Sequence, residues 1–176
     1  METKEMEGLV LLARQRDAEA FARLYEAIYT DLYRYAFYTL RDPHDAEDAV
    51  SEAVADAFYG IRKLKKPEAF RSWMFAILSA KCKRKLKSYV DRLLPLDDEM
   101  MEAPELMSSL EERQDVRRAL LMLSDKERMV LNLSVIAGFT SAEVGRQLHM
   151  NHNTVRSVQS RALAKLKKLL SEEVEG

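Results

Sequence analysis

Between Ser141 and Ser160 the apolar residues Val144, Leu148, Met150, Val155 and Val158 fall where two short helices meeting at a steep angle would bury them, and Gly145 is small where those helices would cross. The spacing predicts a first helix over Ser141 to Leu148, a turn over His149 to Asn151 and a second helix over about Asn153 to Leu170, a helix-turn-helix. Val155, Val158, Ala162, Leu166 and Leu169 form the inward stripe of the second helix. That leaves Asn153, Thr154, Arg156, Ser157, Gln159, Ser160 and Arg161 outward or at its start. Arginine suits the acceptor pair of guanine and glutamine the edge of adenine, while Ser, Thr and backbone amides at a helix start hold phosphates. Lys165, Lys167 and Lys168 would add charge only. A helical hairpin with no nucleic-acid role would carry the same stripe. The turn also departs from the usual pattern, because His149 stands where glycine is common and tolerates positive φ less easily.

Helices must position these side chains, and the chain is built for helices. Apolar residues recur at helical spacing from Leu9 to Leu40, which predicts one or two amphipathic helices. Asp42 is placed to cap the next helix, Pro43 to open it and Gly60 to end it. Pro67 can open a further helix through Phe70, Trp73, Met74, Ile77 and Leu78 toward Tyr89. Leu93 to Ser109 contains Pro95, Pro104 and an acidic cluster without periodicity, and reads as a linker. Shorter helices follow: one from Leu110 to Leu123, one starting at Ser124 with Glu127 completing a capping box, and one starting near Thr140 or Ser141. The expected fold is all-α. Two small helical domains, 1–92 and 110–176, are joined by the acidic linker 93–109.

Charge is distributed unevenly along this framework. The total is -1, yet Met1 to Gly60 holds 6 basic and 13 acidic residues, and Ile61 to Arg92 holds 11 basic and 2 acidic. Leu93 to Glu112 has 7 acidic residues and none basic, and Arg113 to Gly176 has 11 basic and 7 acidic. A polyanion answers to local patches, so a near-neutral total does not exclude binding to DNA. Solvated helix faces would show the same runs. A single cysteine, Cys82, cannot form an internal disulfide or a multi-cysteine zinc site, and His44, His149 and His152 do not supply the missing ligands. No cofactor is expected. No apolar run reaches the roughly 18 residues that span a bilayer, and Met1 to Gly8 is acidic where a signal peptide would be basic. These features point to a cytoplasmic protein without membrane insertion.

Taken together, the two halves resemble the extracytoplasmic-function sigma factors of the sigma-70 family, over about Ala18 to Leu170. Asp45-Ala46-Glu47-Asp48-Ala49-Val50-Ser51-Glu52 is similar to the family's acidic helix segment. The resemblance implies polymerase contacts at Asp45, Asp48, Ser51 and Glu52, with Ser51 replacing the usual glutamine. Pro67 to Phe75, aligned through Trp73, resembles the aromatic segment leading into the helix that faces the downstream (minus-10) promoter element. In the family the preceding loop captures a flipped base, which implies that role for Lys65 to Glu68 and phosphate contacts for the Lys81 to Lys87 cluster. The minus-10 candidates are therefore Lys65, Lys66, Glu68, Arg71, Lys81, Lys83, Arg84 and Lys87. Trp73 and Phe70 fit the core better than a stacking platform, and Cys82 fits a small buried residue better than a redox sensor. Ala80 replaces the usual asparagine and Arg84 a frequent aspartate.

Thr154-Val155-Arg156-Ser157 closely matches the segment that reads the upstream (minus-35) element, where Val158 replaces a commonly basic residue. The candidates there are Asn153, Thr154, Arg156, Ser157, Gln159, Ser160, Arg161 and Lys165. The partners implied are core RNA polymerase, promoter DNA and an anti-sigma factor, for a chain that is monomeric when free. A polymerase-independent helix-turn-helix regulator is the alternative, and it leaves the Asp45 to Glu52 and Pro67 to Phe75 matches unexplained. An enzyme is the third class considered. The sequence shows no nucleophile and base at motif spacing, no phosphate loop and no metal set.

Overall fold

The computed structural model describes residues 1–91 and 119–174, and the described residues are helical with short connections. The expected linker 93–109 and most of the expected helix from Leu110 lie outside the described residues; only 119–121 of that helix is seen. Four helices form the N-terminal half: α1 (Thr3–Arg14), α2 (Ala18–Leu40), α3 (Pro43–Gly60) and α4 (Phe70–Asp91). The C-terminal half holds α5 (Asp125–Val135), α6 (Ser141–Leu148) and α7 (His152–Val174).

Local chemistry sets most of the boundaries. The Asp17 carboxylate accepts from the Ala20 amide at 3.0 Å and the Asp42 carboxylate from the Asp45 amide at 2.8 Å, so each satisfies a donor that the helix start leaves without a partner. The Leu9 to Leu40 periodicity resolves into two helices, divided at Arg16, which takes the left-handed conformation at φ 72°. Pro67 opens a single 3-10 turn, Pro67–Ala69, before α4 becomes regular at Phe70. The Ser124 and Glu127 capping box forms in both directions, and Thr140 with Glu143 forms a second one at α6.

In α3 the residues facing the core are Ala46, Ala49, Val50, Ala53 and Ala57, a stripe of mostly small side chains that lets the helix lie close to α2 and α4. Larger groups fill the space around them: Leu24, Leu32, Tyr35, Phe37, Phe70, Met74, Phe75 and Leu78 are all buried. Each such side chain contributes on the order of 1.5 to 3 kcal/mol relative to exposure.

The same core continues into the second half, where Met129, Val130, Leu133, Ala137, Val144, Val155 and Val158 join it. α5 lies on α2, and α6 lies near α4. Buried polar groups cross this junction. Arg128, 1% exposed, donates from Nε to the Thr39 carbonyl (3.2 Å) and from Nη1 to the Leu123 carbonyl (2.9 Å), and it also bonds the Asp125 carboxylate. Asn132 Nδ2 donates to Thr39 Oγ1 at 3.2 Å. Burial pushes the Arg128 guanidinium below its ordinary value, with the Arg41 charge adding to that effect and Asp125 opposing it. The hydrogen bonds to Thr39 and Leu123 make the buried charge tolerable.

Candidate nucleic-acid interface

The predicted helix-turn-helix is present, with α6 ending at Leu148 as expected and α7 starting at His152, one residue earlier than the spacing implied. His149 does take the left-handed conformation, at φ 54° and ψ 47°. Its amide donates to the Gly145 carbonyl, and so does that of Met150 at 2.8 Å. Gly145 is required by contact rather than by its own backbone angles, because a Cβ there would stand 2.6 Å from the Met150 carbonyl oxygen. The absence of a side chain at this one position lets the turn fold back against α6.

On α7, Val155, Val158 and Ala162 are buried, so the stripe points inward as the spacing implies. Asn153, Thr154, Arg156, Ser157, Ser160 and Arg161 are exposed and Gln159 is half-buried. The Asn151 side chain accepts from the Asn153 amide at 2.8 Å and fixes the start of the helix. Arg161 Nε donates to the Ser157 carbonyl at 3.3 Å. Lys165 instead turns back to the Glu127 carboxylate at 2.8 Å, which holds that carboxyl below its ordinary range.

The acidic segment of α3 and the basic segment of α4 face each other and pair in antiparallel order. Lys85 lies 3.0 Å from Asp45 and 3.6 Å from Asp48, Arg84 lies 2.5 Å from Glu52, and Lys81 lies 2.5 Å from Asp56 and 3.6 Å from Glu52. The Tyr89 hydroxyl donates to Asp45. Burial, followed by this hydrogen bond and the Asp45 charge, raises the Tyr89 phenol far above its usual range. For Lys85 burial works against the charged form, but the Asp45 hydrogen bond and the Asp45, Asp48 and Glu52 charges outweigh it and the pKa is raised. Asp45 is thus engaged within the bundle. Asp48 keeps a side chain 70% exposed, Glu52 one 43% exposed, and Ser51 is exposed.

Among the downstream candidates, Lys65, Lys66, Glu68, Lys83, Arg84 and Lys87 are exposed, whereas Lys81 is mostly covered by its two carboxylates. Arg71 lies at the junction of the two halves. Its guanidinium donates to Asp31 at 2.9 Å and to the Ala137 carbonyl at 2.5 Å, and it sits 5.1 Å from the ring centres of both Phe75 and Phe139. Phe70 is fully buried and Trp73 half-buried, so both serve the core. Cys82 is also buried, and burial pushes its thiol up to about 12. The roles of Thr39, Arg128 and Asn132 were not anticipated. The only sequence signal was a polar residue at a helix position whose spacing faces the core.

A helical protein with an outward helix-turn-helix face packed beside a charged bundle belongs to the DNA-binding helical class. The comparisons narrow this. Sigma-70 region 2 matches residues 24–92, and Sigma-70, region 4, matches residues 105–166. The ECF RNA polymerase sigma factor SigM of Mycobacterium tuberculosis is 29% identical over 155 residues, covering 88% of this chain and 79% of the relative. The ECF RNA polymerase sigma factor BldN of Streptomyces coelicolor is 27% identical, covering 98% and 68%. The solved structure of CnrH in complex with the cytosolic domain of CnrY superposes with a TM-score of 0.72 at 24% identity, covering 96% of this chain and 98% of that one. RpoE bound to the anti-sigma factor NepR from Bartonella quintana gives 0.71 at 20% identity, covering 88% and 98%. These two structures support the fold. The chain belongs to the sigma-70 family and is an RNA polymerase sigma factor of the extracytoplasmic-function class. Among the described residues no helix is long and apolar enough to cross a membrane.

Proposed function

We propose that residues 1–92 dock on core RNA polymerase and hold the downstream promoter element, that 93–109 connects the modules, and that 110–176 reads the upstream element. The observation that carries this reading is that the same molecule turns two unlike surfaces outward. One is the α3 ridge with Asp48, Ser51 and Glu52, and the other is the start of α7 with Asn153, Thr154, Arg156 and Ser157. A carboxylate ridge fits a basic helical partner, and the exposed α7 start fits a major groove. Lys65, Lys66, Glu68, Lys83, Arg84 and Lys87 serve the opened strand in this scheme. Arg71 and Lys81 would first exchange their present partners for phosphate. The protein acts by binding and not by catalysis, and it works in the cytoplasm as a monomer until it joins polymerase. An anti-sigma protein is the expected antagonist, since the similar RpoE was solved in complex with the anti-sigma factor NepR.

The test is size-exclusion chromatography with core polymerase, followed by run-off transcription from a promoter library. Reversing Asp48 and Glu52 to Lys is expected to abolish co-elution while leaving helicity intact, and unchanged co-elution overturns the α3 assignment. Replacing Arg156 or Arg161 with Ala is expected to weaken upstream-element binding by about 1 to 3 kcal/mol if it reads bases. Equal loss on every sequence would instead identify a phosphate contact.

A further inference from the structure

At the end of α3 the Tyr59 side chain is 81% exposed, the highest value among the large apolar side chains of the described residues. It is held on a rigid base. Its ring meets that of Phe58 at 5.7 Å, edge to face, and Phe58 meets the buried Phe21 at 5.2 Å in the same manner. The next residue, Gly60, lies against the indole of Trp73, where an added Cβ would stand 3.3 Å from Cζ2. Gly60 and Ile61 both keep right-handed helical angles, so the turn continues beyond α3 into Ile61–Lys63. Residues three and four apart on such a turn share a face, which places Arg62 and Lys63 beside Tyr59. Both are exposed, as are Lys65 and Lys66 just beyond. An isolated exposed tyrosine is ordinary. A tyrosine backed by two further rings, with two cations on its own turn and two more close along the chain, is the arrangement that single-stranded nucleic acid uses, with stacking for bases and charge for phosphates.

We propose that Tyr59 is a stacking platform for an unpaired DNA base, with Arg62 and Lys63 holding the adjacent phosphates. The inference deepens the proposed function, on which it rests for the identity of the strand as opened promoter DNA. It adds a subsite next to the loop Lys65 to Glu68. Stacking is tolerant of base identity, so Tyr59 would anchor the strand and leave sequence choice to its neighbours.

The experiment uses the full chain and a short mixed-sequence single-stranded oligonucleotide carrying 2-aminopurine, whose fluorescence is quenched on stacking. Tyr59→Ala is expected to weaken single-strand binding about 5- to 150-fold and to remove the quenching, while duplex binding and salt dependence stay as in the wild type. Tyr59→Phe and Tyr59→Trp should restore both signals. The pair R62A and K63A should instead reduce the salt dependence and keep the quenching. The inference is overturned if Tyr59→Ala binds and quenches like the wild type, or if Tyr59→Phe fails like Tyr59→Ala. It is overturned as well if the wild type does not bind single strands. Co-elution with core polymerase, run in parallel on the wild type, reports on the broader reading independently, because Tyr59→Ala leaves the α3 ridge untouched.

Discussion

Single residues decide the shape of the turn that presents the upstream-reading helix. At Gly145 any side chain meets a carbonyl oxygen that belongs to backbone, which has nowhere to retreat. Gly145→Ala is therefore expected to cost about 1 to 3 kcal/mol and to weaken duplex binding through a displaced α7. At His149 the conflict has the opposite sign. A side chain already occupies a left-handed position, at a cost of roughly 1 to 2 kcal/mol, while glycine would lose about 0.5 to 1 kcal/mol to unfolded-state entropy. His149→Gly should raise stability by up to about 1 kcal/mol. Urea unfolding of both variants measures the two effects, and a stabilising G145A or a strongly destabilising H149G would refute the account of this turn.

Helix starts tie the stability of whole elements to pH. Glu127 and Glu143 each close a capping box, and each has a carboxyl pKa held below the ordinary 4.5. For Glu127 the largest cause is the Lys165 hydrogen bond, and for Glu143 it is the Thr140 amide. A carboxylate with a depressed folded value stabilises the fold fully above its unfolded pKa, and that contribution disappears as pH falls through the folded one. Wild-type stability should thus decline in acid below the ordinary glutamate value. Glu127→Gln and Glu143→Gln should be less stable at neutral pH and should lose less on acidification. Thermal melts across that range test this, and parallel curves for wild type and variants would remove the capping assignment. The Ser124 and Glu127 box was legible in the sequence as a local pattern, whereas at α6 the sequence marks only a start near Thr140 or Ser141 and the structure adds Glu143 as the second member of its box. The ladder between α3 and α4 was not legible. Its members lie 25 to 44 residues apart along the chain, and only the antiparallel packing of the two helices brings them into register.

For the molecule as a whole, the joining of its halves is the main finding. The apolar surface of Met129, Val130 and Leu133 is continuous with the first bundle, and the charged side chains at this junction differ greatly in burial. Arg128, which reaches the Thr39 carbonyl across the junction, is closed off from water, whereas the Arg71 and Asp31 pair, which lies within the first bundle and holds Arg71 toward the Ala137 carbonyl, keeps side chains 30% and 39% exposed. Hydrogen bonds from a buried charge are worth more than a partly solvated ion pair. Arg128→Ala should then cost at least about 2 kcal/mol, because it also leaves the Thr39 and Leu123 carbonyls without this donor. Asp31→Asn should cost under about 1 kcal/mol. Urea unfolding compares them, with small-angle scattering to record whether the halves separate. Equal effects would mean that burial does not set the strength of these charged contacts.

By itself the sequence determined the helices, their caps, the helix-turn-helix and the outward residues of α7, because spacing and capping act over a few residues. It also carried the resemblance to the sigma factors in the Asp45 to Glu52, Pro67 to Phe75 and Thr154 to Ser157 segments. Only the tertiary structure decided which charges remain available. Asp45 and Lys81 look alike in sequence to Asp48 and Lys83, yet packing of α3 on α4 consumes the first two and leaves the others exposed. Arg71 reads as a DNA-contacting cation until the halves meet over it. A charge is spent or available according to what approaches it from elsewhere in the chain, and pattern along a single helix holds no information about that approach.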